Sequence, residues 1–403
     1  MEELLGVDDK LSARVRMLGE RHAALQADGK YFYNQPIEDL VGGVRVRTAG
    51  REMLMFASYS YLGLIGHPKI NAAAIAAVER YGSGTHGVRL LAGTLTLHRE
   101  LEETIARFKG TEDAVTYSSG YVTNLAAIST MVGRHDVVIS DKLNHASIVD
   151  GCLLSGADMV RFRHNDMADL ERCLQKADAA ATKLVVVDAV FSMDGDIVNL
   201  PKTVELCRKY GAWLMVDEAH SIGVLGKTGR GIEEHFGLEG VIDLKMGTLS
   251  KTIPSVGGYL AGRKDLMFMF RHASRAFIFS AALPPAQAAA AKAAFEVIVD
   301  EPERVDTLRR NATHFTQGLK ALGFDTMRTE TAIVPVLCGA DDRAFTMTKH
   351  CQHDNIFVLP VVSPAVPEGL ARLRATVTAA HTPQDIDTAL AVMKNAGQLA
   401  GVI

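Results

Sequence analysis

The chain has 403 residues, with 43 basic against 47 acidic side chains, a net charge of −4, 48% hydrophobic and 22% charged residues. It reads as an ordinary globular chain, too long for one compact core. The near-balance of charge argues against a nucleic-acid surface, and no run of ~18 apolar residues predicts a membrane-spanning helix.

The opening Met1–Asp9 is acidic and lacks the basic and apolar regions of a signal peptide. Residues 1–55 read as an N-terminal arm, charged and mixed, with a helix predicted only around 9–27. From about residue 51, short apolar runs alternate with helix-period stretches, the signature of βαβ units and a largely parallel sheet. Gly82-Ser-Gly-Thr-His-Gly87 matches the dinucleotide fingerprint G-x-G-x-x-G, but it follows the alanine-rich helical stretch Asn71–Tyr81 and not a strand. The nicotinamide reading is therefore rejected. In 97–108, Leu97, Leu101, Ile105 and Phe108 share one helix face. Ala114–Tyr117, Val137–Ile139, Leu184–Val187 and Trp213–Val216 are apolar but for Thr116, as strands covered on both faces are. Pro284-Pro285 opens a long alanine-rich helix to about 299, leaving the large domain of residues 56–295.

The pattern restarts on a smaller scale in 296–403, a C-terminal α+β domain. Ala332–Cys338 and Ile356–Leu359 read as strands. Leu370–Val377 alternates, with Leu373, Ala375 and Val377 on one face and Arg372, Arg374 and Thr376 on the other. Thr382 caps a last helix, with Pro383 and Asp385 in its first turn. Five scattered cysteines without a Cys-x-x-Cys pair predict buried thiols in a reducing cytoplasm.

Three segments carry chemistry. Asp217, in Val216-Asp-Glu-Ala-His220, ends a predicted parallel strand, where α/β folds place ligands. Lys251 ends Gly247-Thr-Leu-Ser-Lys251, flanked by hydroxyl residues. Ser118-Ser-Gly-Tyr121 follows a strand and opens a helix, whose backbone N–H groups suit a phosphate. A lysine, a carboxylate and a phosphate cradle are the parts of a pyridoxal phosphate site. Alone, Asp217 reads equally as a loop acid, His220 as a core histidine and Lys251 as a surface lysine. The combination and order favour the site. No metal site is expected.

The chain resembles the α-oxoamine synthases of the fold-type I pyridoxal phosphate enzymes from about Met53 to Val392. The motifs are Ser58-Tyr-Ser-Tyr-Leu-Gly-Leu64, His98-Arg-Glu-Leu-Glu102, Asn144-His-Ala-Ser147, Val190-Phe-Ser-Met-Asp-Gly-Asp196, Asp217-Glu-Ala-His220, Gly247-Thr-Leu-Ser-Lys251 and Arg372-Leu-Arg-Ala-Thr-Val-Thr-Ala-Ala-His381. The resemblance implies an α/β transferase fold, with a mostly parallel sheet in the large domain. It implies that Lys251 bonds the cofactor, Asp217 pairs with the ring nitrogen, and His220 and Ser192 contact the phenolic oxygen. His145 would stack on the ring, while Ser119, Gly120, Tyr121, Thr248 and Ser250 would lie at the phosphate. Ser280 matches a hydroxyl supplied across a homodimer interface, and Arg374 matches the arginine that holds the amino-acid carboxylate. Arg372 lies on the same strand face, and a surface salt bridge is the competing reading for it.

The implied reaction is a decarboxylating condensation. Lys251, displaced by an α-amino acid, takes the Cα proton. The carbanion attacks an acyl thioester on CoA or acyl carrier protein, with His145 near the thioester carbonyl. Carbon dioxide and free thiol leave, giving an α-amino ketone. Many relatives carry asparagine where this chain has Ser60, a substrate-side position. The nearest form, Ser-Tyr-Asn-Tyr-Leu-Gly, is that of serine palmitoyltransferase-like and polyketide-associated members, with serine for its asparagine here, and it weakens an assignment to biotin synthesis. The alternatives are a 2-amino-3-ketobutyrate CoA ligase, an 8-amino-7-oxononanoate synthase or a non-catalytic subunit. The presence of Lys251, Asp217, His220 and His145 tells against the last.

Overall fold

The computed structural model describes residues 9–179 and 181–403, so all but the last residue of the acidic opening lies outside the described residues. Helix α1 (Lys10–Ala27) starts at Asp9, whose carboxylate accepts from the Ser12 N–H at 2.8 Å, and buries none of its residues. The arm then holds more than the expected helix. Strands β1 (Asp39–Gly42), β2 (Arg45–Thr48) and β3 (Arg51–Met55) form an antiparallel meander. Ala49 and Gly50 join β2 to β3 at φ +49° and +69°, the paired positive angles of a tight hairpin. Phe32, Val44, Leu54 and Phe56 sink into the core of the C-terminal region.

Helix α2 (Pro68–Tyr81) ends at Gly82, with φ +78°. A helix therefore precedes the glycine motif, and the dinucleotide fingerprint lacks its strand. Helix α3 (Thr96–Lys109) buries Leu97, Leu101, Ile105 and Phe108. Then comes the βα series: β4 (Asp113–Tyr117), α4 (Gly120–Met131), β5 (Val137–Asp141), α5 (Ala146–Ser155), β6 (Asp158–Phe162), α6 (Met167–Lys176), β7 (Lys183–Asp188), α7 (Leu200–Tyr210), β8 (Trp213–Asp217), α8 (Ile232–Phe236), β9 (Leu244–Ser250) and β10 (Pro254–Gly262). Their strands form one sheet in the order β4-β10-β9-β8-β7-β5-β6. Strand β10 is antiparallel to both neighbours, and the other strands run in one direction. Separate apolar clusters pack on the two faces of this sheet. Both faces are thus out of water, which explains the unbroken apolar runs.

Helices α9 (Lys264–Ala273) and α10 (Arg275–Ile278) lead to α11 (Pro285–Asp300). Helix α11 stays in the large core, because its alanines let it lie close against α2 and α3. Helix α12 (Glu303–Ala321) bridges outward, with Val305 and Leu308 in the large core and Phe315 and Leu319 in the C-terminal one. The C-terminal region continues through β11 (Ile333–Gly339), α13 (Asp341–His353), β12 (Ile356–Phe357), β13 (Pro360–Val361), β14 (Ala371–Thr376) and α14 (Pro383–Leu399). Strand β12 pairs in parallel with β3, so it completes the arm's sheet and not the order β11-β14-β13. Thr382 and Asp385 form a reciprocal capping box at α14. Among the described residues, no helix is long and apolar enough to cross a membrane.

Candidate active site

The carboxyl ends of β4, β5, β7, β8 and β9 converge on a cavity of about 250 Å³. Parallel strands leave their crevice at this edge, where the strand order reverses beside β5 and β7. Ser119 caps α4, its hydroxyl accepting from the Val122 N–H at 3.2 Å. A Cβ on Gly120 would stand 2.9 Å from Thr248 Oγ1, so only glycine lets the helix end approach β9 this closely. Thr248 Oγ1 and Ser250 Oγ lie 2.9 Å apart. Hydroxyl donors and the positive end of a 12-residue helix thus meet at one corner, a cradle for an anion. The Tyr121 side chain is exposed and bonds Asp150.

Asp217 lines the same cavity as a buried carboxylate held from two sides. Its Oδ1 accepts from the Ala219 N–H at 2.9 Å, and its Oδ2 from Asn124 Nδ2 at 2.8 Å. Lys251 Nζ lies 2.8 Å from His220 Nε2, and His220 Nδ1 lies 2.6 Å from the Tyr61 hydroxyl. Burial lowers the Lys251 ammonium to about 8, assisted by Arg374 and opposed by Asp217 and Asp188. Burial, with the Lys251 and Arg374 charges, also pushes His220 well below its usual range. His145 caps α5, accepting from the Ser147 N–H, and burial lowers it. The His145 backbone N–H donates to Asp188 Oδ2 at 3.0 Å. Burial raises Asp188, and the Asp217 carboxylate raises it further.

The two arginines of β14 part company. Arg372 Nη1 is tied to Asp194 at 2.8 Å and to the Met193 carbonyl at 3.2 Å, a salt bridge that is buried and not at the surface where the competing reading put it. Arg374 Nε donates to the Ser192 carbonyl at 2.6 Å and Nη1 to Thr376 Oγ1 at 3.0 Å, while its buried Nη2 has no partner. The guanidinium lies 4.7 Å from the Tyr59 ring centre. Ser192 lines the cavity with Lys251. Ser60 is buried, and its hydroxyl also lacks a partner. Ser280 is half-buried and does not line this chain's cavity.

Reasoning from sequence missed several members. Asn124 stands four residues into α4 from Gly120, a spacing that puts both on one helix face. Asp188 is the last residue of β7, the equivalent position to Asp217 on β8, and the two pair in register. His164 bridges Asp141 and Asp196 at 3.0 and 2.8 Å. Burial opposes its charge, but the two carboxylates raise it to about 10. Asp196 closes the 191–196 turn that presents Ser192 to Arg374.

These residues fit pyridoxal 5′-phosphate: an anion cradle, a buried carboxylate and a buried lysine with a lowered ammonium face one cavity. Fold and site together define a fold-type I pyridoxal phosphate enzyme. Residues 51–393 match the aminotransferase class I and II family, and the chain belongs to that family, in its α-oxoamine synthase branch. It is 48% identical over 364 residues to an 8-amino-7-oxononanoate synthase from Geobacter sulfurreducens, covering 90% of this chain and 93% of that protein. A Sphingomonas wittichii serine palmitoyltransferase superposes with a TM-score of 0.95 at 34% identity, covering 98% of this chain and 100% of that one. A serine palmitoyltransferase variant from S. paucimobilis with a bound PLP–myriocin aldimine gives 0.94 at 37% identity, with the same coverage.

Proposed function

We propose that the protein condenses an α-amino acid with an acyl thioester, on CoA or acyl carrier protein, with loss of CO2 and release of free thiol. The observation that carries this reading is the position of Lys251. It lines both the compact polar cavity and a second, largely apolar cavity of about 840 Å³, which leaves room for an acyl chain beside the reacting centre.

In this reading Lys251 Nζ bonds the cofactor, Asp217 faces its ring nitrogen and His145 its ring face. His220 and Ser192 face the phenolic oxygen, and Ser119, Gly120, Tyr121, Thr248 and Ser250 hold the phosphate. When bound, the cofactor supplies an electron sink next to the amino acid's Cα. Arg374 Nη2 holds the substrate carboxylate. Lys251, neutral on release, takes the Cα proton at Nζ, and His220 Nε2 at 2.8 Å positions that amine. His145 and the unpartnered Ser60 hydroxyl are the groups available to the thioester. A thiol-release screen of amino acids against thioesters tests the reading, with CO2 measured alongside. Release without CO2 indicates the ketobutyrate ligase direction, and a keto acid without thiol release overturns the synthase reading. A serine palmitoyltransferase-like specificity is our first choice. The 48% identical relative favours an 8-amino-7-oxononanoate synthase as the second.

Arg374→Lys keeps the charge but loses the planar fork. We expect amino-acid binding weaker by about 1.5–3 kcal/mol, the range for a hydrogen bond to a charged group, with cofactor loading unchanged. Amino-acid titration of the cofactor's absorbance measures it. Normal binding in Arg374→Lys, with a loss in Arg372→Lys, would show that the other arginine is the clamp.

We also propose a homodimer in which Ser280 reaches the partner's phosphate site, in a cytoplasmic protein. Its five free, buried thiols are consistent with that reducing compartment. Lys251→Ala and Ser280→Ala subunits, mixed and exchanged, should regain activity through the one site with both side chains intact. A fully active monomer at high dilution would sink the idea.

A further inference from the structure

We infer that the acyl group this site takes ends in an apolar alkyl tail and not in a second carboxylate; this rests on the condensation proposed above. The cavity of about 840 Å³ is walled by Ile37, Leu40, Val46, Met55, Ile70 and Phe357, contributed by the arm and its sheet, α2 and β12. Among the described residues, its lining holds no arginine, no histidine and no lysine but Lys251, which the cofactor occupies.

Apart from Arg374, whose guanidinium lies over Tyr59 of this lining and which the amino acid's carboxylate takes in the proposed reading, the nearby cations are turned away or already paired. Strand β2 alternates, burying Val46 and leaving Arg45 and Arg47 exposed on its other face. Arg45 bonds Asp385 at 2.9 Å and Glu52 at 3.4 Å. Lys69 on α2 meets Asp300 at 2.9 Å and Glu296 at 3.4 Å. Gln35 is engaged at both ends with Gln352, at 3.0 and 2.9 Å, and Gln287 Oε1 accepts from Ser255 at 2.9 Å, so beyond Lys251 the lining offers an anion neutral donors only. A carboxylate carried into this cavity would lose water and find no counter-charge, which is costly in an apolar site. An alkyl chain gains by the same burial. An 8-amino-7-oxononanoate carries its acid at the far end of the acyl part, so the inference separates this chain from the specificity that name describes.

The test offers the holoenzyme octanoyl and octanedioyl thioesters, each on CoA and on acyl carrier protein, with L-alanine and L-serine, and reads thiol release. We expect kcat/KM for octanoyl to exceed that for octanedioyl by about tenfold or more. The monomethyl ester of the octanedioyl thioester should behave like the alkyl substrate. Leu40 is 56% exposed, so Leu40→Arg keeps the fold while adding a cation at the cavity wall. It should shift the ratio toward octanedioyl. Equal or preferred use of octanedioyl by the unaltered enzyme overturns the inference and leaves the condensation standing. No thiol release from any thioester, with a keto acid formed instead, overturns the condensation and the inference with it.

Discussion

Lys251→Ala is expected to abolish turnover, with kcat at least about 10⁴-fold lower. Positioned proton transfer alone contributes roughly 10²–10⁴-fold, and in the proposed reading this residue also bonds the cofactor. Borohydride should fix the cofactor on Lys251 of the unaltered protein and on no residue of the variant, as read by peptide mapping. The structure adds a pH dependence. An ammonium lowered from 10.5 to about 8 by burial leaves far more neutral amine near neutrality. Only the neutral amine attacks an aldehyde, so the rate of cofactor loading should climb with pH and level off above about 8. A rate still climbing toward 10.5 would mean that the lysine meets water in solution and is not buried as found here.

Where sequence reasoning worked, it rested on period and position. Strands covered on both faces are apolar throughout, so β4, β5, β7 and β8 were visible as short apolar runs, and Asp217 followed from the end of one. The alternation in β14 placed both arginines on one face but did not decide between them. That needed Asp194 and the Ser192 carbonyl, which come from a turn about 180 residues away in the chain. The arm's sheet escaped notice because its strands are only four or five residues long, and β2 and β3 each open on an exposed arginine. Gly42-Gly43 was nevertheless a hairpin signal. Strand β12 has two residues and borrows its pairing from β3, a contact that no local pattern encodes.

Asp188 and Asn124 were invisible for another reason. Each acts through a neighbour, and the neighbour is brought by the sheet. Register pairs Asp188 with Asp217 across β7 and β8, so two carboxylates share one buried corner. Burial and the Asp217 charge hold Asp188 well above the carboxylate range, which favours its protonated form. The Asp217 carboxylate, which lines the cavity, is then the one the proposed reading sets against the ring nitrogen.

Asp217→Asn should therefore be the most damaging change that leaves Lys251 in place. The carboxylate is 4% exposed and fixed by the Ala219 N–H and Asn124 Nδ2. The substituted amide can keep both contacts, because its oxygen accepts from Ala219 and its NH2 can donate to Asn124 Oδ1, which now lies buried without a partner. Rotating the Asn124 amide gives up its 2.9 Å bond to Ser147 Oγ, a single hydrogen bond, so the fold and, in the proposed reading, the lysine's bond to the cofactor should survive. What disappears is the carboxylate that the proposed reading sets against the ring nitrogen. Removing one partner of a buried pair costs about 3–5 kcal/mol. If that loss falls on the step that places charge in the ring, kcat drops by about 10²–10⁴-fold. Absorbance of the bound cofactor, thermal melting and thiol release on one preparation separate the effects. Normal melting and loading with kcat within tenfold of the unaltered enzyme would show that Asp217 is not the partner of the ring nitrogen.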